Sequence, residues 1–167
     1  DKFLWVELGL QTIHPHTADY IRRGYPLSVY DTAVCELHER GIEVITHVIL
    51  GLPGETTNDM QATADYIAHQ PIQGVKFQLL HVLKGTDLYT DYLGQSFHTL
   101  TLDEYTDILI RCIELMPPEM VIHRITGDGP KNILAAPDWS RNKKQVLNHI
   151  HHCMKIRNTW QGRCYLQ

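Results

Sequence analysis

The sequence predicts an α/β fold built on a parallel sheet, because apolar strands alternate with helices along the chain. The strands are predicted at residues 3–10, 42–50 and 75–80, and the second of these is β-branched and apolar on both faces. A strand of that kind belongs to a parallel sheet that is covered by helices. Right-handed crossovers between such strands give either a TIM-like barrel or an open doubly wound sheet.

Helices are predicted from their caps and from apolar residues at helical spacing. Ser28 is the predicted N-cap of the second helix and Gly41 its C′ residue, and Thr56 or Thr57 caps a third helix that runs to about His69. The other predicted elements are a helix at 17–23, a helix at 102–116, a strand at 120–125, a loop at 127–130 and a basic helix at 140–158.

Charge divides the chain into two predicted parts. Residues 1–128 carry 8 basic and 18 acidic side chains, whereas residues 129–167 carry 7 basic and 1 acidic, within a net charge of −4. We therefore predict a barrel part over residues 1–128 and a basic C-terminal extension over residues 129–167. Such an asymmetry suggests a polyanionic partner.

The cysteines and the hydropathy predict a cytoplasmic protein. Four scattered cysteines fit reduced thiols better than a disulfide framework, and no C-x-x-C pair is present, so no metal ligand is assigned. No apolar run approaches the ~20 residues that span a bilayer, so no membrane partner is expected.

Polar groups and glycines follow three predicted strands, at the end where parallel α/β folds bind ligands. These segments are residues 7–12 (ELGLQT), 47–56 (HVILGLPGET) and 79–86 (LLHVLKGT). In the second, two glycines allow a positive φ or a close ligand, and the next helix aims free N–H groups at the same spot. This pattern fits an anion site or, alternatively, a tight turn without a ligand. No G-x-G-x-x-G follows a strand, which disfavours a dinucleotide site.

The runs E-L-G-L-Q-T, R-R-G-Y and H-V-I-L-G-L-P-G-E-T, in this order and spacing, resemble the second half of the radical S-adenosylmethionine (SAM) barrel. The similar branch holds the Elongator catalytic subunit, the methylthiotransferases and the oxygen-independent coproporphyrinogen oxidase, and R-I-T-G-D-G-P-K-N resembles a bacterial subfamily of it. The resemblance implies the C-terminal half of a partial TIM-like (β/α)6 barrel with parallel strands, followed by a C-terminal helical extension. We expect the other half to lie upstream.

The resemblance also implies contacts with SAM. Gln11 matches a position that helps to bind SAM, and Arg23 matches an arginine on the methionyl carboxylate, which a guanidinium binds through two parallel hydrogen bonds. His47 matches a position near the SAM ribose where a relative has an acid. An alternative for His47 is a hydrogen-bonded core histidine, and an alternative for Arg23 is a solvated helix end.

Two further segments are implied to surround the adenosine. Gly51, Gly54 and Glu55 match the glycine motif that shapes the adenosine pocket, and His81 and Val82 lie in the segment whose backbone meets the adenine. No catalytic residue is assigned. Outside these segments, Glu7 is expected to line the barrel interior; the alternative is that it forms an ion pair there with Arg22 or with Lys76. Of the neighbours Arg22 and Arg23, Arg22 is the one expected at the surface.

SAM and a [4Fe–4S] cluster are the implied cofactors, with an external electron donor for the cluster. Three cysteines of a C-x₃-C-x₂-C type motif hold the cluster in the family, and the four cysteines here lack that spacing. We therefore expect the ligands upstream of this chain and no SAM cleavage by this chain alone. In the full-length protein the expected product is a 5′-deoxyadenosyl radical. An alternative enzyme is a barrel that binds an anion at residues 51–56 and uses no cluster.

The basic C-terminal segment predicts RNA, specifically tRNA, as a partner. Basic side chains bind phosphates and aromatic ones stack on bases. The alternatives are a solvated helix held by its tryptophans and, for the whole chain, a non-catalytic RNA-binding module. His149 and Cys153 share a helix face and are expected to be solvated or packed. The loop at 127–130, with Arg124, Asp128 and Lys131, is expected either to close over the barrel mouth or to form a surface turn. The residues that carry the RNA hypothesis are Arg141, Lys143, Lys144, Lys155, Arg157 and Arg163, with Trp139, Trp160 and Tyr165.

Overall fold

The computed structural model describes residues 3–166 of the chain. In chain order its elements are β1 (Trp5–Gln11), α1 (Pro15–Tyr20), α2 (Leu27–Glu39), β2 (Glu43–Leu50), α3 (Thr57–Ala68), β3 (Gly74–Leu79), β4 (Val82–Leu83), α4 (Asp87–Leu93), α5 (Leu102–Leu115), β5 (Val121–Arg124), β6 (Leu134–Ala136), a short 3₁₀ helix (Asp138–Arg141) and α6 (Lys143–Ile156).

The main sheet confirms the predicted parallel α/β architecture. Its four strands lie in the order β1, β2, β3, β5, and each pairs in parallel with its neighbour. Helices connect β1 to β2, β2 to β3 and β3 to β5, as parallel strands require. The carboxyl ends of β1, β2 and β3 therefore lie at one edge, and the residues that follow them are brought together there.

The hydrophobic core lies between one face of the sheet and helices α2, α3 and α5. Side chains alternate along the strands, so Val48 and Phe77 are buried with Tyr30 of α2, Ile67 of α3 and Leu109 of α5. Burying one side chain of this size stabilises the fold by about 1.5–3 kcal/mol. The opposite face of the sheet carries polar side chains that are only half-buried, at Glu7, His47, Lys76 and Gln78.

The C-terminal part is helical, as predicted, and it packs on the rest of the molecule. In α6, Val146 and Ile150 are buried in the same core as α5. The predicted helix at 140–158 is divided, because Asn142 ends the 3₁₀ helix and then caps α6 by accepting a hydrogen bond from the backbone N–H of Gln145. Within residues 3–166, no helix combines the length and the apolar character needed to cross a bilayer.

Several local predictions were wrong or incomplete. Ser28 is not an N-cap, because α2 begins at Leu27 and Pro26 holds the cap position without a side-chain hydrogen bond. The short pair formed by β4 and β6, which is antiparallel, and helix α4 were not predicted. By contrast, Gly41 follows α2 with φ +66, as a C′ glycine should, and Thr56 caps α3.

Candidate functional site

A cleft of about 650 Å³ lies at the carboxyl ends of β1, β2 and β3. Its volume is in the range of small-molecule sites, and its position is the one that parallel α/β folds use for ligands. The strand-end residues Gln11, Ile49 and Leu80 form its floor, and residues of α1 and α4 form its sides. The cleft is lined by Gln11, Tyr20, Ile21, Arg22, Arg23, Tyr25, Ile49, Leu52, Leu80, Thr86, Asp87, Leu88 and Asp91.

Gln11 enters this cleft because β1 ends in an irregular turn. The register with β2 shifts between Gly9 and Gln11, and Gln11 itself has φ +60, a left-handed conformation that is rare for a residue with a side chain. The amide of Gln11 folds back over Gly9, where a Cβ atom would lie 2.4 Å from Gln11 Nε2. Gly9 therefore makes room for the Gln11 side chain, a role that the motif E-L-G-L-Q signals but that sequence analysis missed.

Arg23 holds the same turn through the backbone. Its Nη1 donates to the carbonyl oxygens of Leu10 (3.0 Å) and Thr12 (2.7 Å), and its Nε donates to that of Tyr25 (3.0 Å). The guanidinium also lies 5.1 Å from the centre of the Tyr25 ring. Of the three guanidinium nitrogens of Arg23, only Nη2 makes no hydrogen bond to the described residues. A carboxylate in the cleft would therefore meet only the Nη2 amino group of Arg23. A fork of two parallel bonds from two guanidinium nitrogens, as expected from the sequence, would require one of the three bound carbonyl oxygens to be released.

The glycine motif forms the turn between β2 and α3. Gly51 has φ +90, and a Cβ atom there would lie 3.0 Å from Leu100 Cδ1, so both the backbone and the space require glycine. Gly54 has φ +83 but open space around it. Neither glycine lines the cleft directly, although Leu52 between them does. The two glycines thus shape the turn that brings Leu52 into the cleft wall, but they do not themselves border the cleft.

The start of α3 does not favour an anion at residues 51–56. Thr56 and Asp59 form a capping box, in which the Thr56 hydroxyl accepts from the Asp59 N–H and the Asp59 carboxylate accepts from the Thr56 N–H (2.8 Å). These backbone and hydroxyl donors of Thr56 lower the pKa of Asp59, which keeps its carboxylate ionised. A negative charge already occupies the position that a bound anion would need.

Glu55 turns away from the cleft. It does not line the cavity, and its Oε1 atom is buried without a hydrogen-bond partner. Burial raises the pKa of Glu55, while the nearby Thr12 hydroxyl, the charge of His14 and the Thr17 hydroxyl oppose this rise. Glu55 is therefore a partly buried carboxyl group that lies outside the cleft.

His47 lies on the half-buried polar face of the sheet, outside the cleft. Its Nε2 is 2.7 Å from Glu7 Oε2, and its Nδ1 is 2.9 Å from Gln78 Nε2. Lys76 Nζ lies 2.6 Å from the same Glu7 oxygen, and the hydrogen bond from Lys76 is the main reason why the pKa of Glu7 is lowered to about 2. Glu7 therefore pairs with Lys76, one of the two partners expected for it, and His47 is a hydrogen-bonded member of this cluster.

His81 and Val82 also lie outside the cleft. The His81 ring packs beneath the loop at 127–129, where a Cβ atom on Gly127 or Gly129 would lie 2.4 or 2.5 Å from the ring. Burial lowers the pKa of His81, against the charge of Asp128. Val82 is buried in β4, opposite Ala136 of β6. From this segment, Leu80 lines the cleft instead. The loop thus covers His81 and leaves the cleft open.

Four residues that sequence analysis did not assign to the site close the far side of the cleft. The Tyr20 hydroxyl donates to Asp91 (2.6 Å), and Arg22 pairs with Asp87 (2.6 Å) at the surface. Arg22 is thus the expected surface residue, but it also lines the cavity. These contacts depend on α4, whose seven residues include no buried one, so no hydrophobic pattern in the sequence signals it.

The basic C-terminal segment is partly neutralised by acids of the same chain. Arg157 is bonded to Asp107 of α5, Arg141 pairs with Asp138 (2.7 Å), and Lys143 lies 3.8 Å from Asp128. Lys144 and Lys155 are exposed and make no ion pair within the described chain. His149 contacts both Cys153 (3.6 Å) and Asp103 (3.1 Å) through the same Nε2 atom.

The residues present fit SAM better than they fit an iron–sulfur cluster. The cleft offers the Gln11 amide, the Arg23 Nη2 group and an apolar wall, which suit a ligand with a carboxylate at one end and a nucleoside at the other. The cysteines lie apart from it, since Cys35 is on α2, Cys112 on α5 and Cys153 on α6. Among residues 3–166 no three His, Cys, Asp or Glu side chains converge on a common point.

The chain belongs to the radical SAM superfamily. Residues 2–67 match the family model of the Radical SAM superfamily, and residues 72–156 match that of the Radical_SAM C-terminal domain. The fold is similar to a solved structure of the archaeal Methanocaldococcus infernus Elp3 with an N-terminal deletion, with a TM-score of 0.83 over 95% of this chain and 37% of that chain. At 21% identity, this likeness concerns the fold alone.

Two relatives show how the chain relates to longer proteins. It is 42% identical to the Bacillus subtilis protein YtqA over 98% of this chain and 51% of YtqA. It is 28% identical to a tRNA uridine(34) acetyltransferase of Dehalococcoides mccartyi, over 91% of this chain and 35% of that protein. The chain thus spans about half the length of YtqA and a smaller share of the acetyltransferase.

Proposed function

We propose that this chain supplies the SAM-binding half of a radical SAM enzyme whose cluster ligands lie in the part of the protein outside residues 1–167. The observation that carries the proposal is that Gln11 and Arg23, which are twelve positions apart in the sequence, line one cleft at the carboxyl ends of three parallel strands. Membership of the radical SAM superfamily supports SAM as the ligand of this cleft. The reduced thiols fit an enzyme of the cytoplasm.

Each side chain has a proposed role toward SAM. Arg23 Nη2 binds the methionyl carboxylate while its other donors keep the turn after β1 in place. Gln11 donates or accepts one hydrogen bond from above Gly9, and Ile49, Leu52 and Leu80 form the apolar wall against the nucleoside. Bound beside a reduced cluster that gives it one electron, SAM would supply the chemistry for abstracting hydrogen from a substrate. His47 and Glu7 lie on the polar face of the sheet, outside the cleft, and have no proposed contact with SAM.

The proposal is tested by the affinity of the reconstituted full-length protein for SAM, measured by titration calorimetry. Replacing Gln11 by Ala is expected to weaken binding about five- to tenfold, the effect of one lost hydrogen bond of about 1–1.5 kcal/mol. Gln145→Ala, on the exposed side of α6, is the matched control and should bind as the wild type does. Equal affinities for the wild type and Gln11→Ala would remove Gln11 from the site.

tRNA is the proposed substrate, and a particular face of α6 is its proposed contact. Lys144, Asn148, His151 and Lys155 follow one another at spacings of four, three and four residues, so they lie on one face of the helix, and all four are exposed. The exposed Trp160, on which the guanidinium of Arg163 stacks, lies just beyond the helix. Relatives include a tRNA uridine(34) acetyltransferase, which supports RNA over other polyanions.

Salt-dependent RNA binding tests this second step. The double variant Lys144→Glu with Lys155→Glu should weaken tRNA binding about tenfold or more and flatten its dependence on salt, because fewer phosphates are neutralised. The control is Lys143→Glu, which replaces a lysine already close to Asp128. If both variants weaken tRNA binding equally, this face of α6 is not the contact surface. If neither variant weakens binding, RNA does not bind through α6.

A further inference from the structure

We infer that a groove between β5 and α6 binds one unpaired nucleotide of an RNA, with the base on apolar side chains of the groove and the phosphate on Arg124. This inference rests on the proposed contact of tRNA with the exposed face of α6, and it adds a pocket to that face. The groove is separate from the strand-end cleft, because the two cavities share no lining residue.

The groove lies between a strand and a helix. Its volume is about 520 Å³, which is in the range of small-molecule sites. Residues 122–126, in β5 and just after it, form one side, and Lys143, Leu147 and Met154 of α6 form the other. Gln161 closes the groove near the start of β5, where its Nε2 donates to the carbonyl oxygen of Met120 (2.7 Å). Because regular elements form both sides, the shape of the groove is fixed in advance of binding.

The sides of the groove carry apolar surface that the chain does not cover completely. Ile122 and Met154 pack against the hydrophobic core, but both are only partly buried, and Leu147 is half-buried as well. A nucleotide base would cover this surface, because every base has a flat π-face and a methionine sulfur packs favourably on an aromatic ring. The apolar part of the groove therefore suits a base.

The charges of the groove suit a phosphate. No Asp or Glu of the described chain lines it, whereas Asp87 and Asp91 line the strand-end cleft. Arg124 is half-buried and makes no hydrogen bond or ion pair with residues 3–166, so its guanidinium can bind a phosphate through two parallel hydrogen bonds. Lys143 also borders the groove, but Asp128 lies 3.8 Å away and offsets its charge. Arg124 is therefore the cation that we assign to the phosphate.

The groove adjoins the exposed face of α6 that is proposed to bind tRNA. Leu147 lies three residues after Lys144 and four before His151, and Met154 lies three residues after His151. Residues at these spacings are neighbours on the surface of a helix. An RNA strand that follows the exposed face can therefore turn one base into the groove while its phosphates stay on the lysines of that face.

The experiment measures the binding of an unmodified tRNA transcript, whose loops carry unpaired bases, to the full-length protein. Fluorescence anisotropy gives the affinity at several salt concentrations. Arg124→Gln should weaken binding about tenfold and lower the slope of log affinity against log salt by about 1, since one phosphate contact is lost. The matched control is Arg111→Gln, which removes an exposed arginine of α5 that has no ion pair within the described chain. Its affinity for tRNA should stay within about twofold of the wild type.

A second variant tests the apolar part of the groove. Leu147→Trp fills the groove without changing the charge, so it should weaken tRNA binding about fivefold and leave the salt slope unchanged, as expected for the loss of base stacking. Light scattering of the same variant measures its oligomeric state. If Leu147→Trp does not fold, Arg124→Gln still decides, because it changes a side chain that has no partner within residues 3–166.

The outcomes separate the groove from the proposed function. Unchanged tRNA affinity in both Arg124→Gln and Leu147→Trp would overturn the inference, while weaker binding by Lys144→Glu with Lys155→Glu would still support the proposed contact. Equal weakening by Arg124→Gln and Arg111→Gln would also overturn it, because only general attraction would have been lost. A change of oligomeric state in Leu147→Trp at unchanged tRNA affinity would make the groove a protein contact instead. If the wild type binds no tRNA, the proposed substrate fails and the inference fails with it.

Discussion

The strand-end cleft and helix α6 both carry polar side chains that the sequence marks for binding, but the molecule treats them differently. In the cleft, backbone groups hold the side chains in place, as the three carbonyl oxygens bound by Arg23 show. On α6 and its approach, several basic side chains instead meet acids of the same chain, such as Asp107 beneath Arg157. The opposite charges of the two predicted parts are therefore partly complementary to each other. A count of charges alone overstates the surface left for a partner.

The largest effect in this comparison is expected from Arg23→Ala. It removes three hydrogen bonds from a charged donor, to Leu10 in β1, to Thr12 in the turn after it and to Tyr25, and should lower the free energy of unfolding by about 2–4 kcal/mol. SAM affinity should fall about a hundredfold in the same variant, because the turn and the anion contact are both lost. Chemical denaturation and calorimetry measure the two quantities.

Two further variants sharpen the result for Arg23. Arg40→Ala removes an exposed arginine that pairs with Glu36 in α2 and should change stability by under about 1 kcal/mol. Arg23→Lys keeps the charge, but the lysine side chain cannot bind all three carbonyl groups. This variant should therefore be less stable than the wild type and bind SAM more weakly. Full stability in Arg23→Lys would contradict the structural part of this account.

The next largest effect is expected in the glycine motif, where two variants distinguish steric crowding from backbone strain. Gly51→Ala should destabilise by about 2–3 kcal/mol, because it combines a left-handed φ with a contact to Leu100 that is tighter than ordinary packing allows. Gly54→Ala has the same strain in open space and should cost only about 1 kcal/mol. Denaturation midpoints of the two variants provide the comparison, and equal values would show that Leu100 yields at no cost.

A smaller effect is expected on the polar face of the sheet. The pKa of Glu7 is lowered to about 2, so its ionised form stabilises the fold above the unfolded pKa of 4.5, and this contribution disappears as pH falls toward 2. The side chain is 38% exposed, so the gain is at most about 1 kcal/mol. The free energy of unfolding of the wild type should exceed that of Glu7→Gln at pH 7, and the difference should vanish near pH 2. A difference that grows on acidification would refute the Lys76 pair.

The smallest effect on folding belongs to α6. Lys144→Glu with Lys155→Glu changes two exposed side chains without described ion pairs, so thermal stability should shift by under about 0.5 kcal/mol. Only RNA binding should respond. If stability fell by several kcal/mol, the two lysines would have buried partners that the structure does not show.

Sequence patterns predicted the elements that bury an apolar face, and the reason is physical. Helix α5 carries a clear helical period because one of its faces packs in the core, and strand β2 is a continuous β-branched apolar run because it lies inside the sheet. Thr56 marks the start of α3 because it forms the capping box of that helix. Helix α4 and the β4–β6 pair were missed, since α4 buries no side chain and β4 is only two residues long.

The candidate site was predicted in part. Gln11 lines the cleft because the carboxyl ends of parallel strands meet there, and Arg23 lines it because its guanidinium is bonded to the backbone on either side of Gln11. His47, Glu55 and His81 do not line the cleft. Where these side chains lie depends on the alternation of strand side chains and on loop packing, and the spacing of motifs in the sequence does not predict either. The roles of all eight predicted site residues toward SAM stay predictions. So does the division of the chain at residue 128.

The most direct test of the central claim is electron paramagnetic resonance of the full-length protein, reconstituted anaerobically with iron and sulfide and then reduced. The account predicts a [4Fe–4S]⁺ signal that shifts when SAM is added, and a shift that is lost in Arg23→Lys while the signal without SAM is retained. A folded full-length protein with no cluster signal, or with a signal that ignores SAM, would contradict the account.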